Sequence, residues 1–563
     1  MRIRTVRTGR SAFWVALGIV CSRLTGLVRQ RLIAQYFGLA ADADAWSAGF
    51  RIPNFLQNLF GEGALSASFI PVYAALVARG DRRAADRVAG AVGALLGLVV
   101  AAIVLVGVVA TPAFIVVVAP GFTGATRDLT VQLVRVLFPG AGLLVLSAWC
   151  LGILNSHHRF LLSYAAPMAW NSAMIVTLLV FGGRTSSLPQ LAVILAWGSV
   201  VGSALQFAVQ IPTVRRLAPD LRFVPDLGSE DLRTVVRNFL PALVSRGVVQ
   251  VSAYVDTLIA SLLSTGAVAG LTNAQSLYTL PVSLFGISVS AAELPAMAGL
   301  AGVEGRGARS AGDASGAGSQ VDAGGRSADP PTEALRRRLD NGLRQIAFFV
   351  VPSAMAFLAF GDILAGALLQ GGRFGHVEAV YVWRILAGSA IGLLASTLGR
   401  LYGSAYYALR DTRTPLRYAV IRVVLTTGLG YLFAIELPPR LGISGEWSAA
   451  GLTASAGIAG WVEFLLLRAT LSSRIGRTGL PVSYVVRLWS AAAIGAALGW
   501  TVKLVLIPRF PPLHPIVIAI VVLGPYGLTF FGIGALIGVE EVSTGFDRLV
   551  RGTRRMMGGQ SGP

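Results

Sequence analysis

Apolar segments of about 20 residues or more recur from one end of this sequence to the other. A helix needs about 20 mostly apolar residues to cross the hydrocarbon core of a bilayer. We count about fourteen such segments, so the sequence predicts an all-α polytopic membrane protein with about 14 transmembrane helices. Only 13% of residues are charged, whereas a soluble domain carries about a quarter. A soluble enzyme with a single membrane anchor is therefore excluded.

One segment between the predicted eighth and ninth spans has a different composition. Residues 301–332 are rich in Gly, Ala and Ser and show no apolar periodicity. A segment of this kind cannot bury enough apolar surface to fold. We therefore predict a disordered linker that divides the spans into two groups.

The net charge of +20 comes almost entirely from arginine. A strongly basic chain can bind nucleic acid, but these arginines follow the loops between apolar segments, where positive charge reports membrane orientation. We therefore predict no nucleic-acid partner and a multi-pass protein of the bacterial inner (plasma) membrane, with both termini and the linker in the cytoplasm. Few loop arginines fall on the opposite side, namely Arg127, Arg184, Arg373, Arg440 and Arg509.

The sequence offers no pattern for catalysis, a disulfide or a metal centre. Cys21 and Cys150 both lie in apolar segments without a CxxC partner, and no HExxH motif or P-loop occurs. We predict no enzyme activity and no cofactor other than a coupling ion, sodium or proton, unless the membrane potential alone drives the process.

Charged residues inside the predicted spans are the strongest functional signal. A charge at the bilayer centre costs about 2.5 kcal/mol or more, so it usually faces a cavity or a partner. Arg23, Arg29, Arg51 and Arg246 lie in the spans near residues 12–37, 45–78 and 233–263. We interpret these four as a cationic cavity for an anionic head group, and the alternative is that some of them pair with carboxylates or reach an interface.

Acidic residues in the same spans are candidates for gating or for balancing that charge. These are Asp44, Glu62 and Asp256. Asp44 and Arg51 are seven residues apart and share one face of a helix.

Helix-breaking residues also concentrate in the first two spans. Gly38 ends the first span, Pro53 lies inside the second, and Gly61 and Gly63 flank Glu62. Irregular backbone at membrane depth is tolerated where it lines a cavity, and broken spans point to a transport path. We predict helix breaks or hinges at these four positions.

Several long motifs resemble one known family. Ser22 to Gly38 reads SRLTGLVRQRLIAQYFG, and Asp44 to Tyr73 reads DAWSAGFRIPNFLQNLFGEGALSASFIPVY. Further motifs are APGF at 119–122, PMAWN at 167–171, LQGGRF at 369–374 and YYALRDTRTP at 406–415. The chain resembles the MurJ (MviN) family of lipid II flippases over most of its length outside the linker.

The resemblance implies a fold of the multidrug/oligosaccharidyl-lipid/polysaccharide exporter type. It comprises two pseudo-symmetric six-helix lobes, which we place at residues 1–232 and 233–480, the second including the linker. Two C-terminal helices at 481–545 would form a groove for a lipid tail, and residues 546–563 a basic cytoplasmic tail. The implied activity is movement of lipid II, the undecaprenyl-pyrophosphate-linked muropeptide, from the inner to the outer leaflet by alternating access for cell-wall synthesis.

The resemblance also assigns residues and shows three departures. The family's first-helix arginines match Arg23 and Arg29. The family's acidic residue just before the second helix matches Asp44, and the glutamate of its AEGALS motif matches Glu62. Family arginines are replaced at Gln57 and Ser276, and a family acid is replaced at Gln30. Arg51 and Arg246 are our hypothesis for the source of the missing charge. Some members bind sodium between the seventh and eleventh helices, where this sequence offers Asp256 and Thr426, Thr427 and Tyr431.

Alternatives to a lipid II flippase remain open at this stage. One is a flippase for another polyprenyl-linked glycan, and a second is a drug/cation antiporter of the same fold. A third is a non-transporting membrane scaffold. The expected partners are an anionic lipid-linked glycan, membrane lipids and the cell-wall synthesis machinery.

Overall fold

The structure is a computed structural model. It describes residues 7–185, 187–224, 228–290, 292–294, 297–300, 331–506, 509 and 513–542. The described residues form helices and no β-strand, apart from an isolated bridge between Gly371 and Phe374. The predicted all-α fold class is confirmed. The predicted linker and basic tail lie almost wholly outside the described residues.

The chain divides into two compact units. The first comprises residues 1–273 and 369–378, and the second comprises residues 274–368 and 379–563. The predicted lobe boundary at residues 232 and 233 follows from the family symmetry and not from compactness, so it stays a prediction.

The first unit contains most of the predicted charged spans. Its described helices are α1 (Arg7–Phe37), α2 (Ala41–Leu56), a π-helix (Gln57–Leu65), α3 (Ser66–Arg79), α4 (Arg82–Val118), α5 (Gly124–Ser156), α6 (Phe160–Phe181), α7 (Leu188–Leu217), α8 (Glu230–Ser261) and the first half of α9 (Ala267–Pro281).

The second unit begins in the second half of α9. Its other described helices are a π-helix (Val282–Ile287), α10 (Pro331–Leu369), α11 (His376–Ala408), α12 (Arg413–Tyr431), a π-helix (Leu432–Glu436), a short helix (Leu437–Arg440), a 3-10 helix (Gly445–Trp447), α13 (Ser448–Ile475), α14 (Val482–Thr501), a π-helix (Val502–Leu506) and α15 (Pro515–Leu536).

Eleven helices in the described part of the chain are long and apolar enough to cross a membrane. The predicted spans near 12–37, 45–78 and 233–263 are not among them. These segments are nevertheless helical, as α1, as α2 to α3 with the intervening π-helix, and as α8. The predicted total of about fourteen spans therefore stays a prediction.

Local sequence signals explain where helices end. Gly80 closes α3 with a φ of +80°, a conformation that glycine adopts without strain. The next residue, Asp81, starts α4, because its side chain accepts a hydrogen bond from the Ala84 amide at 3.0 Å. Two residues thus reverse the chain between two helices.

Each unit has its own buried core. In the first, Phe69, Tyr73 and Trp149 are fully or almost fully buried between α3, α4 and α5. In the second, helices α11 and α13 approach so closely that a Cβ added to Gly392 would lie 2.3 Å from the Gly457 Cα. Small residues permit this close helix packing, which is typical of membrane bundles.

Candidate functional site

Arg29 on α1 is held by side chains from two other helices of the first unit, α2 and α6. Its Nη1 donates to the Asn171 Oδ1 on α6 at 2.9 Å. Its guanidinium carbon lies 5.3 Å from the ring centre of Phe50 on α2 and 5.0 Å from that of Trp170 on α6. The two rings are stacked on each other with an interplanar angle of 6°. We call these four residues the Arg29 site.

The contacts of Arg29 are all to neutral groups. In the part of the chain that the structure describes, no carboxylate lies within ion-pair distance of its guanidinium. Its Nε is buried without a hydrogen-bond partner. Ring faces stabilise a cation by about 0.5–2 kcal/mol, which offsets only part of the cost of removing the charge from water. Arg29 therefore presents a fixed positive charge with a hydrogen-bond donor to spare.

The neighbours of the Arg29 site hold its members in place. The Asn171 Nδ2 donates to the Thr25 hydroxyl at 3.4 Å, which orients the amide so that its oxygen faces Arg29. The Trp170 indole donates to the Ser199 hydroxyl at 3.0 Å. The charge is thus preorganised before any ligand arrives.

Arg51 has a different environment on the same unit. Its guanidinium donates to the hydroxyl of Thr257 on α8 and interacts electrostatically with the Asp256 carboxylate. The Tyr254 hydroxyl donates to the Arg51 carbonyl at 3.0 Å. The structure therefore brings Arg51 and Asp256 together, and the charge of Asp256 is engaged with a guanidinium. Their predicted roles in substrate binding, charge balance or sodium binding stay predictions.

Asp44 is buried and caps a helix. Its carboxylate accepts from the backbone amides of Gly266 at 2.6 Å and Ala269 at 2.8 Å, at the start of α9. A carboxylate at this position satisfies amides that lack an intrahelical partner and favours the positive end of the helix dipole. Asp44 lies on the same helix as Arg51, but its carboxylate accepts hydrogen bonds from backbone amides and not from the Arg51 guanidinium. A gating role for Asp44 stays a prediction.

Arg23 lies six residues before Arg29 on α1 and is exposed. Among the described residues it has no ion pair, and it is not part of the Arg29 site. Arg23 and Arg29, the two predicted cavity arginines of α1, therefore share no partner within the described ranges.

The predicted helix breaks are placed differently from one another. Helix α2 continues through Pro53 to Leu56, and the backbone widens to a π-helix only from Gln57 onward. Helix α2 therefore does not end at Pro53. The irregular backbone begins one turn later, and the π-helix contains Gly61, Glu62 and Gly63. π-Helical turns are frequently found at functional sites. The side chains of Pro53, Glu62 and Arg246 lie outside the described residues.

Gly38 ends α1 in a left-handed conformation, with a φ of +59°. A Cβ at this position would lie 2.8 Å from the Arg373 carbonyl oxygen. Only glycine fits both the conformation and the contact. Helix α1 thus ends at Phe37, next to Gly38, and the role of Gly38 as a helix break or hinge stays a prediction.

The replaced family acid has a structural partner. The Gln30 Nε2 donates to the Asn273 Oδ1 at 2.7 Å, so that two buried amides join α1 to α9. A neutral pair here leaves the neighbouring Arg29 without an acid next to it in sequence.

Residues 33–510 match the family model described as "Lipid II flippase MurJ". The chain belongs to the MurJ family. The lipid II flippase MurJ of Burkholderia cenocepacia is 30% identical over 463 residues, which cover 80% of this chain and 81% of that protein. The family resemblance read from the motifs is confirmed.

Solved structures agree on the fold. A lipid II flippase MurJ in an inward closed conformation matches with a TM-score of 0.72 at 19% identity, over 92% of this chain and 98% of that one. An inward-facing multidrug-resistance MATE transporter of the MOP superfamily matches with a TM-score of 0.62 at 18% identity, over 80% of this chain and 95% of that one. At such identities these likenesses establish the fold alone. The MurJ-family chain is a multi-pass membrane protein with a transporter fold.

Proposed function

We propose that this MurJ-family chain is a lipid II flippase. It moves undecaprenyl-pyrophosphate-linked muropeptide from the inner to the outer leaflet by alternating access, and so supplies cell-wall synthesis. The observation that carries the proposal is the Arg29 site, a buried guanidinium fixed by neutral side chains in a chain of this family.

The chemistry of the substrate explains why such a site is needed. A pyrophosphate that leaves water loses strong hydrogen bonds and must regain them from fixed donors. Arginine supplies a planar fork of donors that suits phosphate oxygens. Among the described residues no carboxylate pairs with Arg29, so none of them offsets its attraction for a phosphate.

The process requires no covalent chemistry on the substrate, so the chain acts as a transporter and not as an enzyme. We place it in the inner (plasma) membrane with both termini and residues 301–332 in the cytoplasm, on the strength of the arginine bias of its loops. Reporter tags at Pro563 and within the linker test this orientation. A sodium or proton gradient, the membrane potential or a combination of these supplies the energy.

The test is depletion of the protein in its own cells with measurement of lipid-linked precursors on each leaflet. We expect lipid II to accumulate on the inner leaflet and to disappear from the outer one. Arg29→Ala should fail to restore flipping, whereas Arg135→Ala should restore it. Arg135 is a matched control, since it is exposed on α5 and its one hydrogen bond to the described part of the chain goes to the Val108 carbonyl.

A second candidate is a flippase for another polyprenyl-linked glycan. The observation that favours it is the replacement of two family arginines at Gln57 and Ser276. The same depletion separates the two, because a different lipid-linked glycan would then accumulate inside while lipid II kept its normal distribution. A carrier of cationic drugs is disfavoured, since the fixed charge of Arg29 repels cations.

A further inference from the structure

A second group of polar side chains converges inside the second unit, away from the Arg29 site in sequence. The Tyr278 hydroxyl on α9 and the Ser396 hydroxyl on α11 are 2.7 Å apart. Arg400 follows Ser396 by one turn of the same helix and therefore lies on the same side of it. Its guanidinium interacts electrostatically with Tyr278, with Arg422 on α12 and with Glu463 on α13.

The charges in this group do not balance. Arg422 Nη1 donates to the Glu463 Oε2 at 3.1 Å and forms an ion pair with it. Arg400 is exposed and forms no ion pair within the described ranges. Two arginines therefore share one carboxylate, which leaves one positive charge. Like charges held together within a membrane protein are costly unless an anion joins them.

The arginines keep donors available. The Nε of Arg422 is buried and has no hydrogen-bond partner. The side chain of Arg400 passes close to Gly286, since a Cβ added to this glycine would lie 3.9 Å from the Arg400 Cδ. With the hydroxyls of Tyr278 and Ser396 beside them, the two guanidinium groups match the needs of an oxyanion.

The exposed face of α12 indicates that Arg422 does not simply extend toward lipid head groups at the membrane interface. Leu416, Val420 and Val424 are all exposed and form one apolar stripe at a spacing of four residues. Such a stripe is the expected lipid-facing side of a membrane helix. Arg422 lies about 160° around the helix from Val420, the middle residue of this stripe, so it points away from the stripe.

We propose that Arg400, Arg422 and Tyr278 form a second oxyanion site, which binds a phosphate or carboxylate group of the lipid-linked substrate. The proposal rests on the proposed function for the identity of the substrate. Glu463 is a positioning residue in this account, because it holds Arg422 and at the same time competes with the ligand. The site gives the second unit its own contact with the anionic head group.

The test is binding of three probes to the full chain in lipid nanodiscs. Lipid II carries both phosphates and peptide carboxylates, undecaprenyl pyrophosphate carries phosphates alone, and inorganic pyrophosphate carries no lipid. Arg400→Gln should weaken the binding of lipid II about tenfold. Glu463→Gln should strengthen it, since it releases Arg422 from its partner. A structural ion pair would not give these opposite signs.

A control separates the site from general loss of charge. Arg384 lies on the same helix as Arg400 but is paired with Glu446, so Arg384→Gln should bind like the wild-type chain. Arg400→Lys should recover part of the affinity, and thermal unfolding of each variant in detergent reports whether it is folded. Equal affinity of wild type, Arg400→Gln and Glu463→Gln for lipid II would overturn the proposal.

The three probes also show whether the site binds phosphate or carboxylate, and they distinguish failure of this proposal from failure of the proposed function. If Arg400→Gln weakens both lipids, the site binds phosphate, and if it weakens lipid II alone, the site binds a carboxylate. If the wild-type chain binds no lipid II, the proposed function fails. In that case the affinity for inorganic pyrophosphate tests the second oxyanion site by itself. Weaker binding of pyrophosphate by Arg400→Gln than by the wild-type chain supports the site, and equal binding overturns it.

Discussion

The two compact units treat buried or half-buried cations in different ways. In the second unit, Arg384 is paired with Glu446, and Lys503 donates to Asp362 at 2.6 Å. In the first unit, Arg29 is hydrogen-bonded to an asparagine and lies 5.3 Å and 5.0 Å from the centres of two aromatic rings that stack on each other. A cation with its own carboxylate is already neutralised, whereas one held by neutral groups still attracts an anion. The difference separates charges that join helices from a charge that is kept for a ligand.

The second unit also contains an intermediate case. Arg422 has a carboxylate partner, but Arg400 beside it has none among the described residues. Arginines with and without a carboxylate partner therefore occur within the second unit as well as between the two units. An arginine is a binding candidate where the carboxylates around it are too few, in whichever unit it lies.

The largest expected effect comes from removing the unmatched charge of the first unit. Arg29→Ala should lower the flipping rate about 10- to 150-fold, because a charge-assisted hydrogen bond to phosphate contributes about 1.5–3 kcal/mol. Flipping is measured as the appearance of lipid II on the outer leaflet of depleted cells. Arg29→Lys keeps the charge without the fork of donors and should retain partial activity.

Membrane levels of these variants are the control for folding. Removal of a buried charge eases insertion, so Arg29→Ala should accumulate normally. Normal flipping by Arg29→Ala would break the comparison, because the unmatched charge would then have no ligand.

A smaller effect, on stability instead of transport, is expected from the paired cations. Glu446→Gln removes the partner of Arg384, whose guanidinium also lies 5.4 Å from the Trp447 ring. Because the pair is partly exposed, its loss should cost only about 1 kcal/mol of folding stability. The thermal midpoint in detergent should fall slightly, while the flipping rate per molecule stays unchanged. A flipping defect as large as that of Arg29→Ala would show that paired cations also serve transport.

The smallest effect concerns Asp411, in the turn between α11 and α12. Partial burial tends to raise the pKa of this carboxyl, but hydrogen bonds from the Thr414 amide and hydroxyl and from Arg474 outweigh it and lower the pKa to about 2, from an ordinary value of 3.8. A carboxyl whose pKa is lower in the folded chain stabilises it above the unfolded pKa. Asp411→Asn should therefore lower the thermal midpoint slightly and by a constant amount above about pH 4.

The pH profile distinguishes this explanation from a simple packing defect. The gap between wild type and Asp411→Asn should narrow as the pH falls from about 4 to about 2, because the wild-type carboxyl then becomes protonated. A gap that stays the same over that range would contradict the assignment of the charge.

The sequence predicted the helical class and Arg29 because both signals are local. A run of apolar residues and a charge within it are visible without any knowledge of tertiary contacts. The partners of Arg29 were missed, since Asn171 is 142 residues away in sequence and carries no charge. The only sequence signal for Asn171 is its place at the end of the PMAWN motif, which indicates the family and not a binding role.

The contacts of Asp44 and the break after Pro53 show two other limits. Asp44 caps α9, which begins more than 200 residues later, so its partners depend on how helices pack and not on local spacing. Proline usually disrupts a helix, but α2 passes through Pro53 and changes only at Gln57.

The most direct test of the central claim converts the Arg29 site into a paired site. Asn171→Asp places a carboxylate where the amide oxygen now accepts from the Arg29 Nη1 at 2.9 Å, with almost no change in shape. The flipping rate of this variant is measured beside its membrane level and thermal midpoint. We predict a loss of flipping close to that of Arg29→Ala, with normal levels and an unchanged or higher midpoint, because the new ion pair neutralises the guanidinium. Wild-type flipping by Asn171→Asp would contradict the claim that an unmatched charge on Arg29 binds the substrate.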